Sequence, residues 1–588
     1  MTVAVVTLAG MAVMLSTRAF FLAPEGWSAL APDEAQRAWH ALQVMQGRLI
    51  YRDLWVQYTP ISFYWHALAF SLFGPSLAAI RLALVATGTV TLGLVAWVAN
   101  YLGGRLAAVL AGGLFLTFGI PCYNSGYPAW ESMAFSMAAL AVVIRTRAAR
   151  TAWIAGLLAG LSTMTKINVG ALTLMAVMTV LAMRCSRPIR ATVGGGAFVA
   201  VGWLVRDMPL AERLFQLLLP LAVLLAAALR PANGQGSPRA LAAAGLGCAT
   251  ACIVVLAPFA VTLGPGEVFH SVVREPLRFS ALIRYSSPVL RLGPAAYAAA
   301  ACWAAALVLP GIGGPKGRIA ATAAAILGAI PLALDGFGVL PGVTMAVRFL
   351  LAPVLVVATA IRPASTPAAL AAATWAGFLH VQLYPGQSGM HLAWALVPAW
   401  PLLVGVTRAA AERGGRFVWV LPVVLFATQL AHGAAVLVHT DWVRLDQRRG
   451  GISVPRQDAV ELTAVIDQVR GETPSSVLDL TSGCLVAFLA ESPCPLRHAY
   501  FWRGFLTPAA EEAEVRELSK APPPVAVRRS RGRDQFRWDA IAGYAPTLAR
   551  WLDGAYRVTR SVGRYEILAF IEDGAPTAGE SRSARTGR

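Results

Sequence analysis

The sequence predicts a polytopic α-helical membrane protein with a small C-terminal α/β domain. Of its 588 residues, 57% are hydrophobic and only 13% are charged, and the mean hydropathy is +0.60. These values lie far from those of a soluble chain of this length. Apolar runs near the length that crosses a bilayer core of ~30 Å recur up to about residue 438, and such runs must be helical in lipid.

The apolar runs are interpreted as about 13 transmembrane helices. No small-residue cleavage pattern follows residues 2–23, so this run is expected to be the first span and not a secretory signal. Several runs are short, and residues 152–183 and 191–229 could each be divided differently or be re-entrant. The candidate spans cover residues 2–23, 78–101, 107–121, 132–144, 152–165, 168–183, 191–205, 214–229, 240–262, 293–310, 319–334, 342–361, 367–383, 391–407 and 417–438.

Basic residues predict the orientation of these spans. If the N-terminus is cytoplasmic, the loops on that side carry many Lys and Arg residues and a single acid, Glu412. An odd number of spans then places residues 24–77 and the chain beyond residue 438 outside the cytoplasm. The net charge of +19 comes mostly from these scattered loop residues, which disfavours a nucleic-acid partner. Since the composition is rich in Ala and Arg, as in GC-rich bacteria, we expect a bacterial cytoplasmic (inner) membrane.

A change of composition divides the chain into a transmembrane domain, residues 1–438, and an extracytoplasmic domain, residues 439–573. Beyond this point charged residues become frequent and apolar runs shorten to the length of strands, with helical patterns between them. The strand-like runs are 475–480, 523–529 and 563–573, and the helical patterns are 456–469 and 542–553. This alternation predicts a small α/β domain. Residues 574–588 are expected to be disordered.

The C-terminal domain shows no recognisable motif for catalysis or zinc binding. It has no nucleophile elbow, P-loop or glycine-rich dinucleotide motif in a suitable context, so recognition or a structural role is the default expectation. Cys484 and Cys494 are its two cysteines. An oxidising compartment would permit a disulfide between them, and the sequence leaves the bonded and the free state equally open.

The first outer loop, residues 24–77, contains two adjacent acids, Asp33 and Glu34. Residues 33–47 have the spacing of an amphipathic helix that could lie in the membrane interface, and a second, aromatic-rich amphipathic segment returns the chain to the membrane. Acids are common where a helix starts because the helix dipole favours negative charge, so Asp33 could be a simple N-cap. A catalytic carboxylate is the alternative.

The most informative segment of the chain, residues 32–81, reads PDEAQRAWHALQVMQGRLIYRDLWVQYTPISFYWHALAFSLFGPSLAAIR. It contains an Asp-Glu pair, a Gly-x-x-x-Tyr-Arg-Asp turn, an aromatic-Pro segment, and Phe-Gly-x-Ser followed by Arg81. These elements, in this order, resemble the first outer loop of the GT-C superfamily of membrane glycosyltransferases. The resemblance is to the branch that contains protein O-mannosyltransferases and bacterial aminoarabinose transferases.

Three further segments resemble the same family less specifically. They are GIPCYNSGYPAWE (119–131), GLLAGLSTMTKINVG (156–170) and LYPGQSGMHLAWALVPAW (383–400). In the last segment Gly386 and Ser388 stand where the family usually has Arg and Asp, which puts the roles of those two positions in doubt.

The resemblance implies a GT-C-like fold and inverting transfer of a sugar from a polyprenyl-phosphate donor to an acceptor hydroxyl at the outer membrane face. Such a reaction needs a base, cations that hold the phosphate, and a groove for the lipid. Asp33 matches the family's catalytic Asp and would be the base, while Glu34 would position Asp33 or the acceptor, or assist a metal. The acceptor could be a protein, a glycan or a lipid. The only cofactor left open is a divalent cation.

Seven further residues are candidates for substrate binding, and each has an ordinary structural alternative. Asn124 could be a turn residue, Glu131 a helix-start acid and Lys166 a snorkelling cation. Tyr123 is an additional candidate for a sugar contact. Arg81 is expected to bridge to Asp53, to pack between helices or to take part in catalysis. The seven candidates are Arg52, Tyr58, Asn124, Glu131, Lys166, Arg348 and His391.

Two other classes of function stay open. A transporter or lipid flippase of envelope biogenesis would also have many spans and intramembrane cations, but it often shows internal repeats and polar residues near the midplane. Here no convincing repeat is seen, and the polar residues cluster at the outer ends of spans. The other alternative is a non-catalytic GT-C-like scaffold, because Gly386 and Ser388 depart from the family pattern.

Overall fold

The computed structural model describes most of the chain. The described ranges are residues 1–18, 32–120, 123–145, 148–230, 237–282, 294–311, 314–336, 339, 342–362, 365–384, 389–481, 483–530 and 538–571. Gly386, Ser388, the end of the first predicted span (19–23) and the tail (574–588) lie outside them.

The chain before residue 440 is almost entirely helical, as predicted. Several helix starts are visible in the sequence: Ser76 and Thr366 each accept a hydrogen bond from a backbone N–H of the first turn, which satisfies one of the free donors there. The helices are α1 Thr2–Val13, α2 Pro32–Met45, α3 Ile61–Phe73, α4 Leu77–Phe118, α5 Pro128–Arg145, α6 Ala149–Thr163, α7 Ile167–Ala182, α8 Arg187–Leu204, α9 Leu210–Ala228, α10 Pro238–Leu263, α11 Pro265–Phe269, α12 Glu275–Leu282, α13 Pro294–Val308, α14 Gly314–Gly336, α15 Val343–Ala360, α16 Pro367–His380, α17 Gly389–Ala395, α18 Ala399–Gly414 and α19 Val420–His439.

Several described helices are long and apolar enough to cross a membrane. A seventh candidate span combines α17 and α18, which are bent by 64° at the break between them. Four further apolar helices are shorter, among them α3 and α7. These helices make the chain a multi-pass membrane protein, while the number of about 13 spans stays a prediction. The six long candidates are α4, α9, α10, α14, α15 and the segment Arg416–His439 that contains α19.

Helix α4 consists of two arms that fold back on each other at Gly104. As one straight helix its 42 residues would measure about 63 Å, twice the thickness of a bilayer core. Gly104 has φ 80° and ψ −168°, a non-helical conformation that glycine adopts without steric cost. A Cβ placed on Gly10 of α1 would collide with Leu92 and lie 3.2 Å from Leu116, so both arms pack on α1. The two arms agree with the predicted spans at 78–101 and 107–121.

The C-terminal part folds into a small α/β domain, as predicted. Its strands are β1 Trp442–Arg444, β2 Ser453–Pro455, β3 Val477–Leu480, β4 Val525–Arg529, β5 Tyr556–Val562 and β6 Tyr565–Phe570, and its helices are α20 Arg456–Gly471, α21 Leu485–Ala490, α22 Pro508–Lys520, α23 Trp538–Tyr544 and α24 Pro546–Ala555. The main sheet has the order β3-β4-β6-β5, with β3 and β4 parallel and the other neighbours antiparallel. β1 and β2 form a separate antiparallel pair.

Helix α2 forms where predicted, and the structure buries it between the helical bundle and the C-terminal domain. Its apolar side chains recur at helical spacing (Ala35, Ala38, Trp39 and Leu42) and belong to the same core as the C-terminal domain. The helix ends before Gly47, whose positive φ of 86° suits a helix C-terminus.

Backbone hydrogen bonds fix the C-terminal domain to the first outer loop. The N–H of Leu77 donates to the carbonyl of Arg449 at 2.8 Å, and the N–H of Trp55 donates to that of Arg497 at 3.1 Å. The Arg497 side chain also donates to the Tyr51 carbonyl at 3.1 Å. Residues of the C-terminal domain can therefore reach side chains at the start of α2.

Candidate active site

Asp33 lies at the centre of the candidate site, in the first turn of α2. Its side chain is buried, and its carboxylate accepts hydrogen bonds from the hydroxyls of Tyr123 and Tyr500. The two tyrosines come from distant parts of the chain, the second outer loop (residues 119–127, between α4 and α5) and the C-terminal domain. The site is thus assembled from three segments, and the carboxylate is engaged by side chains rather than left to cap the helix.

Tyr123 is held firmly in the second outer loop. Its carbonyl accepts a hydrogen bond from the indole N–H of Trp130 at 3.0 Å, and its own N–H donates to the Ile120 carbonyl at 3.0 Å. Its ring also contacts the ring of Trp394 edge-on, with centroids 5.9 Å apart. Tyr123 is a predicted candidate for a sugar contact, and its hydroxyl donates a hydrogen bond to Asp33.

Tyr500 is a site residue that the sequence analysis missed. It lies in the C-terminal domain, buried in an aromatic cluster with Trp502 and Phe505, whose ring centroids lie 6.2 and 5.8 Å from its own. The run Tyr500-Phe501-Trp502 is an aromatic signal that could have marked this loop, but nothing in its spacing connects it to Asp33.

Lys166 is the first cation near the carboxylate. It is buried, and its ammonium lies 4.7 Å from the ring centroids of both Tyr127 and Trp394. The turn that precedes it is tied to the first outer loop, because the N–H of Ile61 donates to the Met164 carbonyl at 3.0 Å. Burial lowers the pKa of Lys166 to about 7, although the charge of Asp33 opposes this shift.

Arg37 is a second cation that the sequence analysis did not propose for the site. It follows Asp33 by one helical turn, so both side chains project from the same face of α2. Its guanidinium lies 4.4 Å from the ring centroid of Tyr58 and 4.7 Å from that of Phe63. Its three side-chain nitrogens are buried and have no hydrogen-bond partner among the described residues. A buried, unpaired guanidinium is costly, and it is well suited to bind an anion.

The surroundings of Asp33 act on its pKa in opposite directions. Burial raises the pKa of the carboxyl above its ordinary value of 3.8 and is the largest effect. The hydrogen bond from Tyr123, the charge of Arg37, the hydrogen bond from Tyr500 and the charge of Lys166 lower it. The carboxylate is therefore both desolvated and supported in its ionised form, which suits a group that must take up a proton.

Glu34, the neighbour of Asp33, pairs with Arg81 and not with the residues around Asp33. Its carboxylate forms a bidentate ion pair with Arg81 of α4, with one N–O distance of 2.7 Å, and both side chains are fully buried. The expected bridge between Arg81 and Asp53 is wrong, because Asp53 pairs with its neighbour Arg52 at 2.8 Å. The structure thus ties the start of α2 to the start of α4 through Glu34.

Most of the other predicted residues lie around Lys166 and Tyr127. The hydroxyls of Tyr58 and Tyr127 are 2.5 Å apart, and His391 contacts the ring of Trp394 with centroids 5.2 Å apart. Asn124 is buried directly after Tyr123. These contacts bring the first outer loop, the connection from α4 to α5 and helix α17 together.

Glu131, Arg348 and Arg52 have different surroundings. Glu131 is buried, lies 3.2 Å from the imidazole of His66, and interacts with the charge of Lys166. Arg348 is buried in α15, with its guanidinium 4.8 Å from the ring centroid of Phe118. Arg52 is exposed and bound to Asp53, so the structure does not bring it into the cluster.

The described residues offer no donor set for a metal. Within the described ranges, no group of three or more His, Cys, Asp and Glu side chains could hold an ion. The nearest carboxylate to Asp33 in sequence, Glu34, is occupied by Arg81. We therefore derive no step of the chemistry through a divalent cation.

Comparison with known proteins supports the fold. No protein-family model matches the chain, and no curated protein sequence does. The crystal structure of ArnT from Cupriavidus metallidurans bound to undecaprenyl phosphate is similar over 97% of this chain and 98% of its own, with 15% identity and a TM-score of 0.50. The chain thus shares the fold of this ArnT, in agreement with the fold expected from residues 32–81.

Two further solved structures are similar at lower scores. The apo state of the same ArnT covers 96% of this chain and 97% of its own, with 15% identity and a TM-score of 0.42. An oligosaccharyltransferase of Archaeoglobus fulgidus, in complex with Zn and sulfate, covers 95% of this chain and 72% of its own, with 14% identity and a TM-score of 0.45.

Proposed function

We propose that this protein transfers a sugar from a polyprenyl-phosphate donor to an acceptor hydroxyl, with inversion, at the outer face of the bacterial cytoplasmic membrane. The observation that carries the proposal is the position of Asp33 on a GT-C fold. Its buried carboxylate has two tyrosine hydroxyls bound to it and the cations Arg37 and Lys166 close by. In the similar ArnT structure the bound molecule is undecaprenyl phosphate, a polyprenyl phosphate like the leaving group of the proposed reaction.

Asp33 is the general base in this proposal. It accepts the proton of the acceptor hydroxyl while the acceptor oxygen attacks the anomeric carbon of the donor. The bond between that carbon and the phosphate oxygen breaks, and the polyprenyl phosphate leaves with the electron pair. Attack opposite the leaving group inverts the anomeric centre. A raised pKa suits this role because a base is most effective when its pKa approaches the working pH.

Arg37 and Lys166 hold the phosphate and stabilise the charge that grows on it as the bond breaks. Both are buried, so their charges act in a medium where electrostatic interactions are stronger than in water. The guanidinium of Arg37 has no hydrogen-bond partner among the described residues, so its nitrogens can donate to phosphate oxygens. Lys166 is held over two aromatic faces and gains from an added anion, because burial disfavours its charge.

The remaining candidates serve as sugar and donor contacts in this proposal. Tyr58, Asn124 and His391 lie in the loops that surround Lys166, and Glu131 lies where its charge acts on that lysine. Arg348 supplies a further buried positive charge in α15. Glu34 acts indirectly: by pairing with Arg81 it fixes the first turn of α2, and so positions Asp33.

The test is transfer by membranes that contain the protein, given a radiolabelled polyprenyl-phosphate sugar and envelope acceptors. Asp33→Asn removes the base but keeps the size of the side chain, and we expect transfer to fall by about 10³-fold. The matched control is Asp446→Asn, which changes a carboxylate exposed to 84%. Unchanged transfer by Asp33→Asn contradicts the mechanism, and movement of the lipid across the membrane without sugar transfer favours a flippase.

A further inference from the structure

A small cavity with both apolar and polar walls lies at the end of the bundle opposite Asp33. It measures about 100 Å³ and lies between α4, α18 and the connection from α15 to α16. Helix α18 begins close to Trp394 of the candidate active site, and the cavity residue Arg413 lies near its other end, about 20 Å away along the helix. The cavity is therefore distinct from the site around Asp33.

A buried arginine lines this cavity. Arg362 is only 7% exposed, and its guanidinium donates to the carbonyls of Leu307 and Val406, the latter at 3.2 Å. Its third nitrogen, Nε, is buried and has no partner among the described residues. Carbonyl groups satisfy donors but do not neutralise the charge, so Arg362 is a buried cation without a counter-ion in the described structure.

A second arginine increases the positive potential. Arg413 also lines the cavity, and burial together with its charge lowers the pKa of Arg362 to about 10. Neither arginine has an ion pair with a described acid, because the neighbouring Glu412 is bound to Arg408 at 2.8 Å. Two like charges that face one cavity destabilise each other unless an anion binds between them.

The start of α16 adds to this potential. The helix has 14 residues and its N-terminal end lies at the cavity, where Thr366 is a lining residue and the N-cap. The helix dipole makes such an end favourable for phosphate, although Pro367 has no N–H and the Thr366 hydroxyl already caps the N–H of Ala369. Ser365 also lines this wall, where its hydroxyl donates to the Thr359 carbonyl at 2.6 Å.

We infer that this cavity binds a phosphate group between Arg362, Arg413 and the N-terminal end of α16. The positive-inside tendency accounts for the exposed Arg413, but it does not account for a desolvated arginine such as Arg362. The cavity is also much larger than the 10–15 Å³ or so that one water requires, so a phosphate group fits. With a cytoplasmic N-terminus this end faces the cytoplasmic leaflet, where the phosphate could belong to an anionic lipid or be free.

The test uses the purified full-length protein in a neutral detergent. Native mass spectrometry measures retention of phosphatidylglycerol and of phosphatidylcholine, and calorimetry measures binding of inorganic phosphate. Arg413→Gln removes one charge without disturbing the buried carbonyl bonds of Arg362. Arg416→Gln is the matched control, since it removes an exposed charge of the same connection that does not line the cavity.

We expect Arg413→Gln to weaken phosphate-group binding about tenfold and Arg416→Gln to leave it unchanged. Retention of phosphatidylglycerol without binding of inorganic phosphate assigns the site to a lipid headgroup. Binding of both phosphatidylglycerol and inorganic phosphate means that the site recognises the phosphate group, whichever molecule carries it. Equal binding by the wild type and Arg413→Gln overturns the inference. An equal loss in both variants also overturns it, because surface charge alone then explains the binding.

Discussion

The hydroxyl of Tyr500 donates a hydrogen bond to the carboxylate of Asp33, so the C-terminal domain contributes a side chain to the candidate active site. The domain is held there by the backbone bond between Trp55 and Arg497 at 3.1 Å and by the shared core with α2. A domain whose sequence carries no catalytic motif is thus positioned to set the orientation and the proton affinity of the proposed base.

We predict that Tyr500→Phe changes the pH profile of transfer. The bond from Tyr500 favours the ionised form of Asp33, so its removal raises the pKa of Asp33 further. Because the base must be ionised to act, the acidic limb of kcat/KM should move to higher pH by about one unit. The measurement is the initial rate of sugar transfer across a pH series.

Tyr544→Phe is the matched control for this shift. Its hydroxyl lies in the same domain and is buried without a hydrogen-bond partner among the described residues, so its loss should be harmless. An acidic limb that stays in place in Tyr500→Phe, with a lower rate at every pH, would mean that Tyr500 serves only the packing of the domain.

Lys166 should determine the alkaline limb of the same profile. Its pKa is lowered to about 7 by burial, so the free enzyme loses this positive charge as the pH rises above that value. Donor binding should then weaken, and kcat/KM for the donor should fall towards higher pH. Lys166→Met should raise the KM for the donor about 100-fold and abolish the alkaline limb.

The control for Lys166 is Lys316→Met, which removes an exposed lysine at the start of α14. We expect wild-type kinetics from it. If Lys166→Met keeps the alkaline limb, another group titrates there, and the assignment of Lys166 to the phosphate is wrong.

Glu34 and Arg81 should behave as a structural pair. Because both are fully buried, Arg81→Met leaves an unpaired carboxylate and should lower the free energy of unfolding by about 3–5 kcal/mol. The double variant Glu34→Gln/Arg81→Met should recover part of this loss, since it removes both charges. Thermal unfolding in detergent measures each variant.

The exposed ion pair between Arg52 and Asp53 is the control for the loss of stability expected at Glu34 and Arg81. Arg52→Met breaks the bond to Asp53 on the surface and should cost less than about 1 kcal/mol. If folded Glu34→Gln loses transfer while folded Arg81→Met keeps it, Glu34 takes part in the chemistry directly, and the structural interpretation fails.

Parts of the site could be predicted from the sequence because their residues lie in short, ordered segments. Asp33 and Tyr123 stand in outer loops that match a family pattern, and Lys166 interrupts an apolar stretch where a lone ammonium requires an explanation. The order of helices and the α/β domain follow from apolar periodicity and the change in charge. Such local signals can be recognised in the sequence without knowledge of the tertiary structure.

Other features depend on contacts that no local pattern contains. Tyr500 reaches Asp33 only because the C-terminal domain docks on the first outer loop, and a sequence does not show that docking. Arg37 lies one helical turn after Asp33, which the sequence shows. What marks it as a candidate anion-binding residue is the lack of a hydrogen-bond partner among the described residues, which only the structure shows. The sequence offers Asp53 as one possible partner of Arg81, but it does not show that α2 packs on α4 and brings Glu34 to this arginine.

The cysteines of the C-terminal domain test both its chemistry and the orientation of the chain. Cys484 and Cys494 are buried with their sulfur atoms 3.1 Å apart. If the domain faces an oxidising compartment, the two thiols should each lose a hydrogen to the thiol-oxidising system there and form a disulfide. Closing this short loop should stabilise the domain by about 2–3 kcal/mol.

Mass spectrometry of protein purified from membranes without reductant measures the outcome. We expect the peptides with Cys484 and Cys494 to be linked, and the thermal midpoint to fall after reduction. Cys302→Ser, which changes a cysteine of α13 in the helical bundle, should leave both results unchanged. Complete alkylation of both thiols after denaturation contradicts the disulfide and, because a reducing compartment would explain it, also argues against an extracytoplasmic position for the domain that supplies Tyr500.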